Sequence, residues 1–169
     1  MANTQAMATT FMQELMTGTH NFGTAPVRAT GAADTFYGAL LLASGTFNAS
    51  STDYTGTVGS VTMSGEVSGT GYTAGGVAIT NATAPSATNT STTAGTAYWT
   101  PSASITYTTV TLSTPFDAVM VYNFTQGSAG AYPTVSIHTF GSQTITAGTF
   151  TLTMPSNTTS TALIRLATT

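Results

Sequence analysis

The sequence predicts an all-β domain, an antiparallel β-sandwich or jelly-roll-like fold with one short N-terminal helix. Three observations predict it. Threonine, β-branched and suited to a pleated surface, fills 41 of 169 positions. Apolar residues fall in eight or nine short runs, several alternating with polar ones, as strands with one buried face do. Gly, Pro, Asn and Ser punctuate these runs, and no fixed period recurs that would make a solenoid.

Taken in order, residues 4–16 carry the helical signal: Met7, Phe11 and Leu15 recur every four residues, and Met12 and Met16 widen the stripe. Asn3 or Thr4 can cap its start, and Gly18 lies where a helix commonly ends. This helix either closes one end of the domain's own core or forms an arm on a neighbouring subunit, a role that flexible methionines suit. Residues 17–23 read as a loop and 26–30 as a linker or edge strand. The run 36–43 is apolar throughout, as a central strand buried on both faces is. A loop over 44–56 and a weakly alternating strand over 57–63 follow.

Residues 66–76 then read as a tight corner between extended segments, with Glu66 and Tyr72 set among Gly69, Gly71, Gly75 and Gly76. Glu66 is expected to accept backbone N–H bonds there, which favours its ionised form. A strand over 76–81 leads to a long loop over 83–96, and Tyr98-Trp99 ends that loop as a core anchor. Residues 105–112 alternate, 118–124 form a second apolar strand, and 126–130 make a hairpin-like turn. Two strands over 134–140 and 144–154, separated by Gly141-Ser142, and a closing strand over 162–166 complete the set. The domain reading is an N-terminal helix and arm, 1–22, and a sandwich, 23–169.

Composition narrows the chemistry. Only 4% of residues are charged, against roughly a quarter in ordinary globular chains, so hydroxyls rather than charges must solvate the surface. Arg28 and Arg165 are the only basic residues, which argues against nucleic-acid partners, since those need a positive patch. The longest apolar run falls far short of the ~20 residues of a membrane span. No basic leader precedes an apolar run, so synthesis in the cytoplasm is the expectation. Without cysteine there is neither disulfide nor thiolate metal site.

His20 and His138 have no ligand spacing between them, so no metal and no cofactor are expected. No Gly-x-Ser-x-Gly marks a nucleophile, and nothing places two of Asp34, Asp53, Glu66 and Asp117 as a catalytic pair, so no catalytic residues are assigned. The Thr-x-Thr pieces share no period, which disfavours an ice-binding face. Asn-x-Ser/Thr triplets at Asn48, Asn81, Asn89, Asn123 and Asn157 read as chance in so threonine-rich a chain.

At Gly18-Thr19-His20-Asn21-Phe22, Tyr54, the corner from Glu66 to Gly76, Phe140-Gly141 and Ala162-Leu163-Ile164-Arg165-Leu166, the chain resembles small virion structural proteins of tailed bacteriophages. The shared order is a short N-terminal helix, a Glu-Val-x-Gly-x-Gly-Tyr corner, a Trp and a terminal Leu-Ile-x-Leu strand. The resemblance implies a head-decoration or capsid cement protein on the outside of the head, partnered by the major capsid protein. The chain departs from the pattern in lacking lysine and in its loop over 83–96. A homotrimer is the expected assembly, because capsid three-fold positions invite it. Met7, Phe11, Leu15, His20 and Phe22 are the expected subunit contacts. The alternative is a tail or fibre protein binding host glycans, with Trp99, Tyr98, Tyr54 and Tyr72 stacking on sugars.

Overall fold

The computed structural model describes residues 2–23, 33–80, 84–88 and 95–167. Strands and isolated bridges take 48% of the described residues and helix 4%, so the all-β class stands. The elements are β1 (Ala6–Met7), α1 (Phe11–Met16), β2 (Phe36–Leu42), β3 (Asp53–Tyr54), β4 (Val77–Ile79), β5 (Ser86–Thr88), β6 (Thr96–Trp99), β7 (Ile105–Asn123), β8 (Tyr132–Leu152) and β9 (Ile164–Ala167). The main sheet runs β1-β8-β7-β2-β4 with β3 also on β8, and a small sheet runs β5-β6-β9. Every named pair is antiparallel.

β7 and β8 form one long hairpin where the sequence suggests four strands. The interruptions at Pro115 and at Gly141-Ser142 do not end either strand. The register instead slips at several bulges between Tyr107 and Ala118, and a bulge bends a ladder without stopping it. Thr109 (φ 54) and Ala147 (φ 47) sit in the left-handed region at these slips, a conformation uncommon outside glycine. The bent arm folds back over the main sheet, where Tyr107 donates its hydroxyl to the Gly38 carbonyl at 2.7 Å. Ile105 then lines the same cavity as Val119 and Val121, from later in its own strand.

Alternation along β2 feeds two cores. Phe36 and Leu40 enter one buried cluster with Val119, Val121, Tyr107, Phe116 and Trp99. Ala39 and Leu41 enter the other with Met120, Tyr122, Tyr54 and Met63. The central strand is therefore buried on both faces. The second face is covered by the connection from β2 to β4, which holds β3, and not by a regular sheet. Within it, 57–63 is a turn closed by one bridge, Thr57 to Val61, rather than a strand.

The N-terminal segment differs from its helical reading. Thr4 N–H bonds the Phe47 carbonyl at 2.9 Å and Ala8 N–H bonds Val135 at 3.2 Å, so residues around β1 are extended at a sheet edge. Sheet pairing supplies partners that a short isolated helix cannot match, and α1 keeps only six residues. Residues 1–22 thus give the body an edge strand and the fully buried Phe11. The linker reading at 26–30 lies outside the described residues, as do 83 and 89–94 of the expected loop. The described parts of that loop form β5 and lead into β6.

A Cβ built on Gly76 (φ +76) would lie 1.7 Å from the Gly38 carbonyl oxygen, whereas one on Gly18 (φ +71) meets nothing within 4 Å. Gly18→Ala should cost about 1–2 kcal/mol for the backbone conformation alone. Gly76→Ala should cost more, at least about 3 kcal/mol, because β4 must also move off β2. Urea unfolding of the two variants checks this ranking, and equal losses would disprove the close approach.

Candidate functional site

Glu66 lies at the junction of the two cores and is 4% exposed. Its Oε2 accepts the Tyr54 hydroxyl at 2.7 Å and the Met63 N–H at 2.8 Å, and its Oε1 accepts the Tyr72 hydroxyl at 2.8 Å and the Gly75 N–H at 2.7 Å. A carboxylate offers about four acceptor sites, and all four are filled. Two of the donors are backbone N–H groups that cannot reverse their role, one on each oxygen, so both oxygens act as acceptors. Burial pushes the carboxyl above its ordinary 4.5, and the four hydrogen bonds pull it back. Burial, with the Glu66 charge close by, also pushes the Tyr54 and Tyr72 hydroxyls well up, which keeps both as donors.

The fold brings these groups together from separate segments. Glu66 bridges to Leu41, the Val67 N–H bonds the Leu40 carbonyl, and the Leu42 N–H bonds that of Gly65. Residues 65–67 thereby extend β2's edge beyond β4. Tyr72 completes it by accepting the Leu40 N–H at 3.0 Å. Gly71, Gly75 and Gly76 all have positive φ, and a Cβ at Gly69 would lie 2.1 Å from the Thr111 carbonyl oxygen. Tyr54, Met63, Tyr72 and Gly75 form one clamp, with no acceptor site left on Glu66 for a substrate proton, and Gly69, Gly71 and Gly76 shape the corner's backbone.

A second buried network surrounds His20. Asn123 Oδ1 accepts the Gln126 N–H, which fixes the amide, and its Nδ2 donates to Asp34 Oδ2 at 2.8 Å and to His20 Nδ1 at 3.0 Å. His20 therefore carries its proton on Nε2, which donates to Glu14 Oε2 at 2.7 Å. Asp34 also accepts the Asn21 N–H at 2.7 Å and Gln126 Nε2 at 2.8 Å. This network ties α1 and the 20–22 loop to the end of β7. Asn123 is fully buried, so its glycosylation triplet is inaccessible in the folded chain.

The five expected subunit contacts are not one surface. Phe11, His20 and Phe22 are buried within this chain, Phe22 stacking on Phe36 at 4.5 Å between ring centroids. Leu15 is half-buried, and Met7 alone of the five is exposed. Among the described residues the exposed large apolar ones are Met7, Met12, Met16 and Val61. Sequence reasoning named Asp34 and Asn123 in other roles and missed that they join with Gln126 around His20, because the segments are distant and share no spacing. It also missed a groove lined by His138, Arg165 and the outer edge of β1. Burial pushes His138 down to about 4, so it is neutral near pH 7, within 2.8 Å of the Ser136 hydroxyl. Among the described residues no three His, Asp or Glu side chains converge to hold a metal, and no helix is long and apolar enough to cross a membrane. Comparison with family models, curated proteins and solved structures finds no match to this chain.

Glu66→Gln keeps the shape but points an amide N–H at a backbone N–H, and should cost about 1–3 kcal/mol in urea unfolding. Glu66→Ala strands all four donors and should cost about 3–5 kcal/mol. Losses within experimental error for both would show that the clamp does not hold the fold.

Two groups give opposite pH slopes. The Glu66 carboxyl is raised in the folded chain, so its contribution falls as pH climbs from 4.5 through its folded value. His138 is depressed from 6.5 to about 4, so its contribution, on the order of 3 kcal/mol, is complete above 6.5 and lost as pH falls to 4. His138→Asn should flatten the loss below pH 6.5 and Glu66→Gln the decline above 4.5. Stability curves of the two variants from pH 4 to 8 separate them.

Proposed function

We propose that the chain is a structural protein of a tailed-bacteriophage particle, a decoration or cement protein that binds the outside of the head and stabilises the shell. The observation that supports this reading best is the character of the exposed surface. The folded-back arm presents Thr106, Thr108, Thr144, Thr146, Thr149, Thr151 and Thr153 to solvent, and methionines project from β1 and α1. This surface is nearly free of charge and rich in hydroxyls. An interface made from it depends little on ionic strength, because there are few ion pairs to screen. A protein that binds only the assembled shell adds its binding free energy to that state and none to free subunits. The homotrimer belongs to the same proposal, with the interface moved from the buried Phe11, His20 and Phe22 to the exposed Met7, Met12 and Met16.

The glycan-binding alternative draws less support. Trp99 is 3% exposed beneath Phe22 and Phe36, and Tyr54 is fully buried against Tyr122, so neither offers a face to a sugar. Tyr72 lends its hydroxyl to the Glu66 clamp.

The copy number per purified particle tests the proposal. A ratio to the major shell protein near one, with a shell melting temperature that drops when the protein is stripped and recovers on its return, supports a cement. A few copies would move the protein to the tail, and absence from particles would sink the virion reading. Rebinding should be nearly the same at low and high salt. A monomer by sedimentation, free of shell, would count against the trimer.

A further inference from the structure

An open groove of about 590 Å³ lies between the β1 edge of the main sheet and β9 of the small one. β1 ends the order of its sheet and β9 ends the order of the other, so among the described residues neither has a strand on its outer side. Ala6 pairs with Ile137 and the Ala8 N–H bonds Val135, which turns the backbone groups of Gln5 and Met7 away from β8. Both residues line the groove. Proteins usually cover or charge such edges, because an open one templates pairing with another chain. Here two edges flank one cleft. A strand occupies about 3.3 by 4.8 by 10 Å per residue, so the groove takes about four extended residues.

The charges narrow the occupant. Arg165, one of only two cations in the chain, lines the groove, and none of the five acidic residues does. Its Nη1 donates to the Ser160 carbonyl at 2.8 Å, which anchors an exposed guanidinium at the rim. A guanidinium so held matches a carboxylate.

We propose that the groove is a strand-docking site, taking an extended acidic segment of a neighbouring chain that pairs with the β1 edge and sets a carboxylate on Arg165. Main-chain bonds give such a site affinity and the carboxylate gives it register. The inference deepens the cement reading and rests on it only for the source of the strand, the shell protein.

The end-blocked peptides Thr-Val-Asp-Val-Thr and Thr-Val-Lys-Val-Thr serve as probes, followed by amide shifts and hydrogen exchange in the intact protein. The Asp peptide should bind about tenfold more tightly and slow exchange at the Met7 amide. Arg165→Gln, at an exposed side chain, should erase that preference and keep the fold. Met7→Pro removes an outward N–H without touching the bonds to β8 and should weaken both peptides. Equal affinity for the two peptides, or no change at Gln5 and Met7 at millimolar peptide, would overturn the site. Failure there with the protein still abundant on particles would leave the cement reading standing. Peptide binding by a protein absent from particles would do the reverse.

Discussion

The fold depends on a buried carboxylate that, among the described residues, has no cation beside it. Glu66 is held by two tyrosine hydroxyls and two backbone N–H groups, and its burial is tolerable only because every acceptor site is met. The donors come from β3, from the turn before Glu66 and from the glycine corner after it. An irregular connection of more than thirty residues between β2 and β4 is thereby fixed on one acceptor. Without it, β2's edge beyond Gly38 would keep unpaired backbone groups, and the second core would lose its cover. A chain with so few charges has placed one of them where four hydrogen bonds can use it.

The same economy governs the other polar groups inside. Asp34, Asn123 and His20 link segments whose remaining contacts, between aromatic rings, are largely non-directional. Directional bonds fix α1 and the 20–22 loop in one position against Phe36 and Trp99. Burial of large aromatic rings supplies the non-directional part. The stack of Tyr54 on Tyr122 at 4.5 Å shows the two meeting, since Tyr54 packs on one ring and donates to Glu66 with its hydroxyl.

Much of the fold was legible because it rests on period and composition. The apolar run at 36–43 is β2, and the alternation at 105–112 is the arm of β7. The corner was legible because glycine spacing reports backbone conformation directly, as Gly71, Gly75 and Gly76 show. What failed was anything decided by partners far along the chain. Residues 4–9 carry a helical stripe, yet their backbone groups find Phe47 and Val135. Residues 113–117 and Gly141-Ser142 read as breaks between strands, yet bulges carry the ladder past them. Phe11, His20 and Phe22 resemble contact residues because an aromatic patch near a terminus reads alike whether its cover is another subunit or Trp99 of the same chain.

This distribution explains how so neutral a protein can have specific surfaces. Polar groups with strong directionality are spent inside, which leaves threonine hydroxyls, methionines and sheet edges outside. Such a surface discriminates by shape and by backbone pairing rather than by charge, and shape requires rigidity. The clamp and the His20 network supply that rigidity beneath it. Where a charge does remain outside, at Arg165 beside the β1 edge, it stands against an almost neutral background, and one guanidinium there sets register more sharply than it could among many.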